Sequence, residues 1–116
     1  MTTKLFSYER KITYKDDLVE VVEITWPVGS RSVAHDHGNS HGLVRVLAGR
    51  IFCDTYNKAT KQFKERIEAS VGEVLLETPD IIHVMGNASE SEEARTVHIY
   101  TPPLTMTRYE EGDLVR

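Results

Sequence analysis

Apolar and polar residues alternate along most of this chain with a period of two, the spacing that places every second side chain on one face of a strand. The run Leu18-Val19-Glu20-Val21-Val22-Glu23-Ile24-Thr25-Trp26 is β-branched and largely apolar, which predicts a strand. Further strands are expected over 5–14, 31–35, 41–47, 50–56, 63–69, 73–77, 81–85 and 94–101. Turn formers separate them. Asp16-Asp17, Pro27 with Gly29, Ala48-Gly49, the polar tip 57–62 and Thr78-Pro79-Asp80 each break the alternation, and Pro102-Pro103 closes the last strand. The acidic stretch 86–93 reads as a solvated loop. No segment carries an amphipathic helix longer than two turns. Many short strands at close spacing predict an all-β antiparallel sandwich or barrel. Without repeats or low-complexity linkers, residues 1–116 read as a single domain.

Composition narrows the function. A net charge of −4 without a basic cluster argues against nucleic acid as a partner. One cysteine cannot form an internal disulfide, so nothing marks an oxidised, secreted scaffold. No apolar run approaches membrane-spanning length, and the first residues lack a signal-type apolar region. The expectation is a soluble, cytoplasmic protein with no membrane partner. Residues 5–14 are also a strand available to a homodimer interface.

The chemistry concentrates in Val33-Ala34-His35-Asp36-His37-Gly38-Asn39-Ser40-His41-Gly42, which holds three of the five histidines. His35 and His37 are two apart, so on a strand they face the same way and can converge on one metal ion. His41 falls next to Gly42 and is expected on the opposite side, without a ligand role. Cys53 lies in an apolar strand and reads as a small core side chain.

The frame around these residues resembles the two motifs of the cupin family. Gly29, five residues, His35-Asp36-His37 and then Gly49 hold the spacing of the first motif, and Gly72, His83 and Asn87 hold that of the second. Pro79 comes one residue late, and Asp80 stands where a second glycine is usual. The fold implied is a single cupin barrel, a double-stranded β-helix with a metal in its mouth, and the resemblance makes His83 the third ligand. Gly42 occupies the place of the usual glutamate ligand. The expected ligand set is therefore His35, His37 and His83 alone, which suits an anionic soft ligand together with dioxygen.

That glutamate-free pattern resembles cysteine dioxygenase and its thiol dioxygenase relatives. His-Asp-His-Gly-Asn-Ser-His is similar to their metal-strand motif, and glycine at position 42 implies that the Cys–Tyr cross-link of the animal enzymes is missing. Thr96-Val97-His98-Ile99-Tyr100-Thr101-Pro102-Pro103 resembles their Ser-x-His-x-Tyr-Ser-Pro-Pro segment. Alternation puts Thr96, His98 and Tyr100 on one face, as a hydrogen-bond relay or simply as core residues. Tyr8-Glu9-Arg10 is similar to the family's Tyr-x-Arg, whose arginine pairs with the substrate carboxylate; a solvated surface role for Arg10 stays open. Trp26, nine residues before His35, also matches. The family's longer N-terminal region has almost no counterpart here, so a more open pocket is expected. The resemblance implies Fe(II) as cofactor and a small thiol with O2 as substrates. A cupin isomerase or decarboxylase using Mn, Ni or Zn, and a non-catalytic ligand-binding cupin, are the alternatives.

Overall fold

The computed structural model describes residues 7–116. Ten strands follow one another: β1 Glu9–Lys15, β2 Glu20–Trp26, β3 Ala34–Asp36, β4 His41–Ala48, β5 Arg50–Asn57, β6 Phe63–Ser70, β7 Val74–Glu77, β8 Ile81–Asn87, β9 Ala94–Thr101 and β10 Thr107–Tyr109, with a 3₁₀ turn at Glu111–Asp113. They form two five-stranded antiparallel sheets, ordered β1-β2-β9-β4-β7 and β10-β3-β8-β5-β6. This is the all-β architecture that the cupin resemblance implies. No helix of the described residues is long and apolar enough to cross a membrane.

Strict alternation builds the core between the sheets. On β2, Val22, Ile24 and Trp26 point inward, and β4 contributes Val44 and Val46. Ile51, Cys53, Ala69 and Met85 meet them from the second sheet. Apolar burial of this kind supplies roughly 25 cal/mol per Å² removed from water. The loop after β8 is tied down by Asn87, whose Nδ2 donates to the carbonyls of Trp26 and Glu92 at 2.9 and 2.7 Å.

Three expectations shift. Of 31–35, only the end joins β3; Arg31 makes an isolated bridge to Gly86. The start of the stretch 5–14 lies outside the described residues, and its β1 part pairs with β2 at the sheet edge, leaving Ile12 and Tyr14 exposed. The segment beyond Pro103 carries structure that no periodicity announces. There β10 pairs with β3, and Tyr109 and Leu114 cover a second apolar cluster of Ala34, Phe52, Tyr56, Ile82 and Val84. This explains why β5 is buried on both faces. On the covered outer face Asp54 is held by Arg66, with bonds of 2.7 and 2.9 Å, and by Arg116 at 2.9 Å.

Candidate metal centre

Register, more than sequence spacing, assembles the site. His35 on β3 lies directly opposite His83 on β8. His37 follows β3 by one residue and folds back beneath it. The three rings gather closely: His35 and His37 centroids are 4.8 Å apart, His37 and His83 4.6 Å, His35 and His83 6.4 Å. The Nε2 atoms of His35 and His37 stand 3.2 Å apart. Two donors about 2.1 Å from one ion at right angles would be separated by roughly 3 Å.

Two of the rings contact the fold through the far nitrogen, whereas His37 Nδ1 is buried without a hydrogen-bond partner among the described residues. His35 Nδ1 lies 2.8 Å from the Val33 carbonyl, which can only accept, so Nδ1 carries the proton and Nε2 presents a lone pair. His83 Nδ1 lies 3.4 Å from Cys53 Sγ, and its Nε2 is buried without a hydrogen-bond partner among the described residues. Burial pushes both rings down to about 4; neighbouring imidazoles add to this at His35, while at His83 they are partly opposed by the nearby Glu77 charge. Both are therefore neutral near pH 7, the form that ligates metal. Burial raises the Cys53 thiol, so its sulfur packs in the core beside His83 rather than acting as a thiolate.

The strand Thr96, His98, Tyr100 turns one face inward, as the alternation requires, and all three are buried. Trp26 Nε1 donates to Thr96 Oγ1 at 3.0 Å, Thr96 Oγ1 lies 2.6 Å from His98 Nε2, and His98 Nδ1 lies 3.0 Å from the Tyr100 hydroxyl. Indole only donates, so Thr96 Oγ1 accepts from Trp26. One proton arrangement that satisfies the remaining contacts has Thr96 donating to His98 Nε2 and His98 Nδ1–H donating to Tyr100, which leaves the Tyr100 proton for the cleft. Burial and the Glu77 charge hold Tyr100 well above its ordinary range, so it stays protonated. Its ring stacks on His37 at 5.3 Å.

Sequence reasoning missed one residue here. Glu77, at the end of β7, turns its carboxylate into the histidine cluster and is 3% exposed. Oε2 is 2.8 Å from His37 Nε2 and 3.8 Å from His83 Nε2; Oε1 is 3.7 Å from His98 Nδ1. Burial alone would raise this carboxyl, but the contact with His37 and the imidazoles of His98 and His83 close by hold it well below the usual range. The donor atoms of His37, Glu77 and His83 all lie within 4.8 Å of one another, an arrangement that fits a metal ion. A glutamate closing a short strand reads as solvated. Only the pairing of Gly42 with both Glu77 and Tyr100 shows otherwise.

Gly42 is what lets these two side chains meet. A Cβ there would stand 2.8 and 2.9 Å from Tyr100 ring carbons and 3.3 Å from the Glu77 Cβ. Gly42→Ala should therefore lower stability by about 1–3 kcal/mol, the usual cost of overpacking, read as a lower midpoint in chemical denaturation. An unchanged midpoint would mean that the Tyr100 ring gives way freely. His41, its neighbour, is exposed on the far side.

Arg10 and Tyr8 line the same narrow cleft as His35, His83, His98 and Tyr100. Arg10 Nη2 bonds Glu20 Oε2 at 3.2 Å, and Tyr8 stacks on Trp26 at 4.6 Å. The cleft measures about 30 Å³, and Leu104 and Met106 complete its lining. A larger cavity of about 530 Å³ lies on the opposite face of β3 and β8, floored by Ala34, Tyr56 and Val84 and without a histidine.

The family model for cysteine dioxygenase type I matches residues 16–112. Cysteine dioxygenase type 1 from Homo sapiens and that from Pongo abelii are each 30% identical over 87 residues, which cover 69% of this chain and 43% of theirs. The chain thus spans less than half the length of the curated relatives it matches. Among solved structures, an uncharacterized conserved protein with a double-stranded β-helix domain from Klebsiella pneumoniae superposes with a TM-score of 0.73 at 15% identity, covering 91% of this chain and 87% of that one. An RmlC-like cupin family protein from Methanocaldococcus jannaschii gives 0.69 at 12% identity, covering 83% and 81%. At such identities these two likenesses establish the fold, a double-stranded β-helix.

Proposed function

The chain belongs to the cysteine dioxygenase type I family, and on that footing we propose that it is an Fe(II)-dependent thiol dioxygenase. It would take a small thiol, cysteine or a related mercapto-carboxylate, to the sulfinic acid. The stoichiometry closes without a further reductant: R–SH and O2 give R–SO2H, sulfur losing the four electrons that the two oxygen atoms gain. The observation that carries this reading is the junction of the histidine cluster with Tyr100, which lines the cleft at the end of the Trp26–Thr96–His98 chain.

His35, His37 and His83 would hold the iron, which when bound supplies a redox-active centre where thiolate and dioxygen can meet. The neutral imidazoles of His35 and His83 and the buried His83 Nε2 fit such an ion. The protein's own groups do the rest. Arg10, steadied by Glu20, keeps further N–H donors for a substrate carboxylate in a bidentate fork. Tyr8, packed on Trp26, would form the adjoining wall. Tyr100, oriented through Thr96 and His98, would donate a hydrogen bond to the reacting oxygen or sulfur. The walls of Trp26, Met85 and Ile24 keep water away from it.

The test is oxygen uptake by anaerobically Fe(II)-loaded protein, offered cysteine, 3-mercaptopropionate, cysteamine and mercaptosuccinate in turn. Uptake with one of these and matching sulfinate is the expected result; none with any thiol would end the proposal. The carboxylate of Glu77 favours one second reading, a cupin isomerase or decarboxylase using Mn, Ni or Zn. Metal analysis of protein purified without added metal separates the two.

A further inference from the structure

Glu77 is the buried group that the thiol dioxygenase chemistry leaves unused. It sits at the centre of the site, and its only ion-pair partners among the described residues are the imidazoles of His37, His83 and His98. No lysine or arginine balances it there. A carboxylate taken out of water costs several kcal/mol unless a positive charge and hydrogen bonds replace the solvent. Yet among the described residues Glu77 Oε1 has no hydrogen-bond partner, and neither has His83 Nε2, which stands 3.8 Å from the other carboxylate oxygen. The carboxylate and the His83 ring each leave one polar atom unpaired in the same buried cluster, whose donor atoms lie close enough to share an ion.

We propose that Glu77 is a fourth metal ligand, delivered across Gly42 from the neighbouring strand β7. The glutamate ligand expected at position 42 is missing, and the residue hydrogen-bonded opposite that position supplies a carboxylate instead. The separations fit. Donors about 2.1 Å from one ion lie between roughly 3 and 4.2 Å apart; Glu77 Oε2 is 3.8 Å from His83 Nε2, inside that range, and at 2.8 Å from His37 Nε2 it needs to open by only a few tenths of an ångström. Gly42 is required because any Cβ would collide with the Tyr100 ring and crowd Glu77. The consequence is chemical. A ligand set of three imidazoles and one carboxylate lowers the net charge of a divalent site by one. It would leave fewer positions for substrate atoms than three imidazoles alone. A substrate would then bind through sulfur alone, its carboxylate reaching Arg10 instead of the metal.

This inference rests on reading the site as a metal centre, not on thiol turnover, and its test needs neither thiol nor oxygen. Co(II) and Fe(II) are titrated anaerobically into wild type, Glu77→Gln and Glu77→Asp, and the visible absorption of the Co(II) forms is recorded. Glu77→Gln should bind both metals about 10–100-fold more weakly with a changed Co(II) spectrum, while Glu77→Asp recovers part of the affinity. Metal-free Glu77→Gln should melt lower than wild type, since it loses the 2.8 Å contact with His37, so metal affinity and the Co(II) spectrum decide the assignment. Unchanged affinity and spectrum in Glu77→Gln would overturn the assignment, even if thiol oxidation were found. Weakened metal binding without any thiol turnover would leave the ligand assignment standing and remove the thiol reading.

Discussion

His83→Ala is expected to abolish metal binding and thiol-dependent oxygen uptake together while the barrel still folds. The ring stands in register with His35 on the adjacent strand, and its Nε2 has no other partner to lose. Its Nδ1 contacts only the Cys53 sulfur, a weak acceptor. Removing it deletes a ligand outright, so Fe(II) affinity should fall by more than the roughly 10–100-fold typical of outer-sphere changes. Melting curves with and without metal read this directly. At a metal concentration 100-fold above its Kd, wild type should gain about 2.7 kcal/mol of stability, and the variant should gain none. The metal-free variant should lose about 1–3 kcal/mol for the cavity left beside Cys53 and Met85. Full metal content in His83→Ala would remove this residue from the site.

Tyr100→Phe should do the reverse: metal retained, turnover lost. The phenyl ring can keep its place against His37 and over Gly42, so the packing that closes the sheet survives. What disappears is the hydroxyl at the end of the Trp26–Thr96–His98 relay, together with its hydrogen bond into the cleft. Removing one aligned donor from a buried site slows reactions by about 10²–10³-fold, or roughly 2.7–4 kcal/mol of barrier. The readout is kcat for sulfinate formation at matched iron content. Wild-type turnover in the phenylalanine variant would reduce Tyr100 to a core residue.

Much of this was legible in the sequence, and the reason is the period of two. Alternating runs identified β2, β4 and β9 nearly to their ends, because each has one face turned to the core and one turned away from it. The same alternation correctly set Thr96, His98 and Tyr100 on one inward face. Where a strand is very short, or buried on both sides, alternation fails. Residues 107–109 carry no pattern of their own and become β10 only because β3 offers a free edge. The covered outer face of β5 was likewise invisible, since it depends on a C-terminal segment that returns over it with Tyr109 and Leu114.

By itself, then, the sequence determined the fold class, the three histidines and the polar relay, because local spacing and the cupin-like frame encode them. Glu77 was decided only by tertiary structure. Nothing within residues 73–77 distinguishes an exposed glutamate from a buried one; Val74 and Leu76, its apolar neighbours, are the side chains that face water. Its position follows from the register that sets β7 against β4 at Gly42, and that register is held by long-range backbone pairing. A missing side chain at position 42 is visible in the sequence. The carboxylate that moves into its space is visible only once the strands are side by side.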